Sequence, residues 1–426
     1  MSMGYKIIDI KAREILDSRG NPTIEVEVLA EKNFLGFKKK IKAWSQVPSG
    51  ASTGDYEAIE LRDMDETRYH GKGVLKAIKN IQEIILPELI GMNVEKFEKI
   101  DKKMIELDGT KNKSNLGANA ILGVSMAVLR LGAISKQKKL YEYIALKTKN
   151  KNIKEVRPFF NVINGGVHAG NTIPFQEFMI SPNLGSYERN YQAASEIYQS
   201  LKKIIKEKYG GEATLLGDEG GFAPTNIVSL DSVFDLLLEA IEKTGYKGNV
   251  DFALDVAASE FFKDGAYDLG FKRENEDLKT VDEMIEIYKN LVKKYPIISI
   301  EDPFDQDDFE AFAKLKKELP DTQIVGDDLT VTNVERIQKA IAKNSMNALL
   351  LKLNQIGTVS EAIEAFKMVK KKNMKTMVSH RSGETIDDFI ADFAVGIGAE
   401  QIKSGAPARG ERVAKYNRLK TIFEKK

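Results

Sequence analysis

Two hydrophobic patterns divide this chain. In residues 5–30 apolar and polar positions alternate, with Ile24, Val26 and Val28 on one face, which is the period of half-buried strands. The turn Ser18-Arg19-Gly20-Asn21-Pro22 is expected to reverse them, and a further strand is expected at 34–43. Residues 72–131 switch to a helical period. Val74, Ala77, Ile78, Ile81 and Ile85 share one stripe, and 116–131 is rich in Ala, Leu and Val. Strands followed by helices predict an α+β domain over residues 1–150. The lysine-rich stretch 147–154, just before Arg157-Pro158, is the candidate linker.

Beyond it, short apolar runs end repeatedly in one charged or polar residue. Phe252-Ala253-Leu254-Asp255, Ile297-Ile298-Ser299-Ile300-Glu301, Ile324-Val325-Gly326-Asp327 and Leu349-Leu350-Leu351-Lys352 are the cleanest. Met377-Val378-Ser379-His380 and Gln401-Ile402-Lys403 follow, and Gln176-Glu177 opens a similar run. From Asp255 the endpoints lie 46, 26, 25, 28 and 23 residues apart, about one strand plus one helix each. Three intervening helices carry Thr followed three residues on by Glu, a capping-box pattern: Thr280/Glu283, Thr332/Glu335 and Thr358/Glu361. The prediction is a C-terminal βα barrel over 151–426. Such barrels gather their strand ends on one face, where active sites lie.

Composition narrows the chemistry. The chain of 426 residues is 42% apolar and 30% charged, as expected of a globular protein. Lysine plus arginine number 64 against 63 acids, so no general field favours nucleic acid or an anionic membrane. Lysine clusters at 38–42, 138–139, 147–154 and 370–372 lack interleaved aromatics and read as solvated faces. No apolar run reaches the roughly 20 residues that span a bilayer, and no signal-peptide pattern opens the chain, so a cytoplasmic location is expected. With no cysteine, any metal must use oxygen ligands or the three histidines, His70, His168 and His380. Oxygen ligands favour magnesium, calcium or manganese.

The strand-end residues can be read functionally. Asp255, Glu301 and Asp327 would meet at one mouth, and like charges that close resist ionisation unless a cation compensates them. The alternative is that each acid caps the helix that follows. Lys352 and Lys403, ending buried strands, suit a general base and an anion clamp, or else structural ion pairs. Ser49-Gly50-Ala51-Ser52-Thr53-Gly54 is small and hydroxyl-bearing, able to close over phosphate or supply a metal ligand, and not a Walker loop. Asn164-Gly165-Gly166-Val167-His168-Ala169-Gly170 and Gly217-Asp218-Glu219-Gly220-Gly221 each set a titratable residue in a loop of little bulk, or are plain turns. His380-Arg381-Ser382-Gly383-Glu384 offers an oxyanion or phosphate site, or a solvated turn.

These strings occur in the order found in one family. Asp17-Ser18-Arg19-Gly20-Asn21-Pro22-Thr23, Val47-Pro48-Ser49-Gly50-Ala51-Ser52-Thr53-Gly54, Gln176-Glu177-Phe178-Met179, Gly217-Asp218-Glu219-Gly220-Gly221, Lys352-Leu353-Asn354-Gln355-Ile356-Gly357, Ser379-His380-Arg381-Ser382-Gly383-Glu384-Thr385 and Gly405-Ala406-Pro407-Ala408-Arg409 resemble the enolases over nearly the whole chain. The resemblance implies reversible dehydration of 2-phosphoglycerate to phosphoenolpyruvate with two Mg2+ ions. It implies Lys352 as base at C2 and Glu219 as acid toward the C3 hydroxyl, assisted by Glu177. It implies Asp255, Glu301 and Asp327 as ligands of the first ion and Ser52 as a ligand of the second. Arg381 and Ser382 would grip the phosphate, while Lys403, His168, His380 and Gln176 complete the substrate site. A homodimer or homo-octamer is implied as well. The departures are the lysine-rich segment 38–46 with the only tryptophan, Trp44, Asp388 where the family often has threonine, and a short C-terminal tail.

Overall fold

The computed structural model of the protein describes residues 4–34, 37–50, 54–225, 227 and 229–424. Strands β1 (Lys6–Leu16), β2 (Pro22–Phe34) and β3 (Phe37–Gln46) form an antiparallel sheet in that order. The alternation is real: Ile24, Val26 and Val28 are fully buried. The third strand runs a few residues later than its pattern suggests. Its exposed lysines interrupt the alternation, and only Ala43 and Ser45 face inward. The helix Ala118–Ser135 lies across β2 and β3. A Cβ on its Gly123 would meet Val26 at 2.6 Å, so glycine permits the close approach. This helix is long and apolar enough to cross a membrane on composition alone, but 83% of it is buried inside the fold.

The second half is a closed eight-stranded barrel with the α+β domain before it, as the pattern predicts. Its strands are β4 (Arg157–Asn164), β5 (Glu177–Pro182), β6 (Val250–Asp255), β10 (Ile297–Glu301), β11 (Gln323–Gly326), β12 (Ala348–Leu351), β13 (Lys375–Ser379) and β14 (Gln401–Lys403). Three short strands, β7 (Phe262–Lys263), β8 (Ala266–Asp268) and β9 (Leu278–Lys279), form a small sheet inserted after β6. Phe159, Met179, Ala253, Val325, Ala348, Leu350 and Met377 cluster as a core of their own. Their strand neighbours Phe160, Ile180, Leu254, Ile324, Leu349 and Val378 join the larger core. That period-2 division separates the barrel interior from the helix-facing surface. At the strand starts, Gln323 and Gln401 exchange reciprocal amide hydrogen bonds of 2.8 and 3.0 Å.

The barrel is not all parallel. Strand β5 runs antiparallel to both neighbours, pairing Glu177 with Asp255 and with Asn164. Reversal puts the first residue of β5 at the mouth where the other strands end. Capping also differs in one place. Thr280 and Thr358 cap their helices through Glu283 and Glu361. At Val334–Ala342, however, Asn333 is the cap, accepting from Glu335 N at 2.9 Å. Thr332 is instead fully buried, accepting from Lys352 N and donating to Gln355 Oε1, both at 3.0 Å.

Candidate active site

The strand ends, apart from Glu301, deliver their charges to one buried cavity. It holds about 420 Å3 of empty space including its mouth, lined by His168, Gln176, Glu177, Glu219, Asp255, Asp327, Lys352, His380, Arg381, Ser382 and Lys403. Register explains the convergence, since Glu301 lies opposite Asp255 and Ser379 opposite Lys403. Ser52 lies outside the described residues. The backbone leading to it is tied to the mouth, where Ser49 and Gly383 exchange two N–H···O bonds of 2.8 Å.

Lys403 is the electrostatic centre. Its Nζ reaches Glu301 at 2.8 Å, Asp255 at 3.2 Å and Glu177 at 3.3 Å, with every partner buried. Burial alone would strip its proton, but these carboxylates hold it charged, well above the usual lysine range. Three carboxylates around one ammonium leave surplus negative charge. Burial, then repulsion from Asp255, pushes Glu301 well up. Burial, then Glu219, does the same to Glu177. Lys352 pairs with Asp327, whose other oxygen accepts from Gln355 at 2.8 Å. Burial opposes the lysine's charge most strongly, and Asp327 leads the carboxylates that together outweigh it, raising Lys352.

A second acidic layer escaped the sequence reading. Asp302 accepts from Asp327 N at 3.0 Å and Asp328 N at 2.6 Å, so it sets the turn that presents Asp327. Burial and its acidic neighbours raise Asp302, and burial with Asp327 pushes Asp328 up to about 8. Among the described residues, carboxylate oxygens of Asp302, Asp327 and Asp328 approach within 4.8 Å of one another, as do ligand atoms of His168, Glu177 and Glu219. The trio Asp255, Glu301 and Asp327 is not gathered so tightly, because two members turn to Lys403 and the third to Lys352.

Glu219 sits on a loop held by close backbone contact. A Cβ on Gly217 or Gly221 would strike Asn164 at 2.8 or 2.5 Å, so the room these glycines leave is filled by Asn164. Its carboxylate accepts from Asn161 at 2.9 Å and lies 3.5 Å from His168 Nδ1 and 3.6 Å from His380 Nε2. Burial lowers both histidines. Burial would raise Glu219, yet His380, His168, Arg412 and Lys403 together hold it well below the usual range. Of these two neighbouring carboxyls, Glu177 is thus the more readily protonated.

Arg381 is clamped by Glu57 from the first domain, at 2.8 and 3.1 Å, and by Asn354 at 3.0 Å. Ser382 Oγ accepts from Arg19 at 3.3 Å. Glu57 looked ordinary in sequence because its partner is 324 residues away. Trp44 and Asp388 meet at Arg130, which lies 5.3 Å over the Trp44 ring and 3.2 Å from Asp388.

Residues 7–144 match the family model of the enolase N-terminal domain, and residues 154–426 match that of the enolase C-terminal TIM barrel domain. The chain belongs to the enolase family. Membership gives a lyase- or epimerase-type enzyme, and dehydration is the reaction type its domains support. Enolase-family enzymes typically use Mg2+, and the donor set here fits such an ion. The donors are hard oxygens, negative charge is in excess, and the buried Glu301 Oε2 and Glu177 Oε2 have no hydrogen-bond partner.

Proposed function

We propose that this enolase-family protein is a phosphopyruvate hydratase. It reversibly dehydrates 2-phospho-D-glycerate to phosphoenolpyruvate and water in glycolysis and gluconeogenesis, as a cytoplasmic homodimer or homo-octamer. The carrying observation is a buried lysine and the neighbouring carboxyls Glu177 and Glu219 lining one cavity, beside a guanidinium and a hydroxyl suited to phosphate.

In this reading Lys352 takes the C2 proton. It must first be neutral. Burial favours the free amine and Asp327 is the chief contact opposing it, so Lys352 would give up its proton more readily if Asp327 turned to hold a metal. The Glu177/Glu219 pair passes its proton to the C3 hydroxyl, which leaves as water while the C2 electron pair forms the double bond. Asn161 holds Glu219 in place for that transfer. Arg381 and Ser382 bind the phosphate, while Lys403, Gln176, His168 and His380 orient the carboxylate end.

Asp255, Glu301 and Asp327 would hold one Mg2+ and Ser52 would help hold a second, supplying positive charge against the dianion that forms when C2 loses its proton. Each positioned acid or base typically contributes roughly 10² to 10⁴ in rate. The test is phosphoenolpyruvate formation from 2-phosphoglycerate with and without Mg2+, on the parent and Lys352→Ala. Mg2+-dependent turnover that the substitution abolishes is expected. Inactivity with Mg2+ present, or a preference for an unphosphorylated acid, overturns the reading.

A further inference from the structure

Arg412, on the helix Gly410–Phe423, is one of the largest side chains with no exposed surface. A wholly buried guanidinium is costly unless its donors find partners. The two terminal nitrogens find theirs in the active site. One terminal nitrogen donates at 2.6 Å to His380 Nδ1 and at 2.6 Å to the Arg381 carbonyl. The other donates at 2.5 Å to the Ser382 carbonyl and at 3.0 Å to the carbonyl of Asp218, which precedes Glu219. Glu411 lies 3.4 Å from Nε.

A guanidinium has only donors, so the imidazole nitrogen facing it must accept. In a neutral imidazole the proton is then on the other nitrogen, Nε2, which lies 3.6 Å from Glu219 Oε2. A second proton on Nδ1 would set N–H against N–H and cation against cation. We propose that Arg412 is a positioning residue that locks His380 as the neutral Nε2–H tautomer, a fixed donor aimed at Glu219.

The other charged groups facing His380 act consistently with this. Burial opposes its protonation most, Glu219 favours it, and Arg412, Lys403 and Lys352 oppose it further. His168, the second histidine beside Glu219, has no such lock, because its Nδ1 has no hydrogen-bond partner. The lock leaves the acid–base cycle to Lys352 and the Glu177/Glu219 pair, a consequence that rests on the function proposed above. The tautomer itself does not depend on that function.

The chain has only three histidines, so their ring nitrogens can be followed individually. The experiment is long-range 1H–15N correlation on the full-length protein labelled at histidine nitrogens, without substrate, from about pH 6 to 9, which brackets the ordinary histidine titration. Wild type should show His380 with Nδ1 unprotonated, Nε2 protonated and no movement with pH. Arg412→Gln places an amide that can accept as well as donate, so a second, Nδ1–H tautomer should appear. Arg412→Lys keeps a pure donor and should keep the single tautomer, which a general loosening of the core would not do. Thermal melts establish that each variant is folded. A His380 that titrates in wild type or carries its proton on Nδ1 overturns the proposal, and so does a folded Arg412→Gln that keeps the single Nε2–H form. If Arg412→Gln does not fold, wild type and Arg412→Lys decide. Because the spectra need no turnover, failure of the dehydration assay and failure of the lock are separate results.

Discussion

Asp101 offers a stability test whose size follows from one buried carboxyl. It lies on the helix Phe97–Asp108, fully buried, and accepts from Ser360 N at 3.0 Å at the start of the barrel helix Val359–Lys370. Its other oxygen has no hydrogen-bond partner. Burial raises this carboxyl from 3.8 to about 6, against the opposing hydrogen bonds of Ser125 and Ser360. Because the folded value is raised, its favourable contribution is complete below the unfolded value and is lost as pH rises through the folded one. The total loss by neutral pH is about 3 kcal/mol, at about 1.4 kcal/mol per unit. Roughly half of that has already gone at pH 5, so about 1.4 kcal/mol disappears between pH 5 and 8. Asp101→Asn keeps an acceptor for Ser360 N and removes the titration. Urea unfolding of both proteins across that range should show the variant gaining on the parent by about 1.4 kcal/mol, and being the more stable at pH 8. Parallel pH profiles would refute the argument, because they would mean Asp101 ionises in the fold as easily as in the unfolded chain.

Three further outcomes are expected. Glu57→Gln removes the bidentate partner of Arg381, so affinity for a phosphorylated acid should fall in binding titrations, and stability should drop by about 3 kcal/mol or more in urea, the usual cost of breaking a buried pair. Chelation of divalent ions should lower the melting temperature, and Mg2+ at about 100 times its Kd should restore about 2.7 kcal/mol; a melt indifferent to Mg2+ would count against the oxygen-ligand site. Lys272 donates to the carbonyls of Gly166 and Ala169, at 2.5 and 2.9 Å, tying the insert after β6 to the His168 loop. Lys272→Ala should speed amide exchange in residues 164–170 without changing exchange in the strands β10 to β13, and uniform acceleration would show a global effect instead.

Much of this molecule was legible along the chain because strand periodicity is local. An apolar run closed by one charged residue marks a buried strand and the end it presents at the barrel mouth, so the positions of Asp255, Glu301, Asp327, Lys352, His380 and Lys403 followed from their neighbours alone. The barrel and the α+β domain before it followed from the same periods. Tertiary structure decided what those residues touch. Whether β5 runs parallel depends on which strands it joins, and its reversal is what sets Glu177 beside Asp255. Asp302 and Asp328 directly follow residues already singled out, yet a period of two points them away from the barrel. The left-handed backbone of Asp302, φ +40, turns it back beneath Asp327. Thr332 read as a helix cap and became a buried support for Lys352, because Asn333 took the cap. Glu57 and Arg412 carry no local signal at all. Their importance lies in being buried against Arg381 and His380, and the burial of a charge is settled only when distant segments close around it.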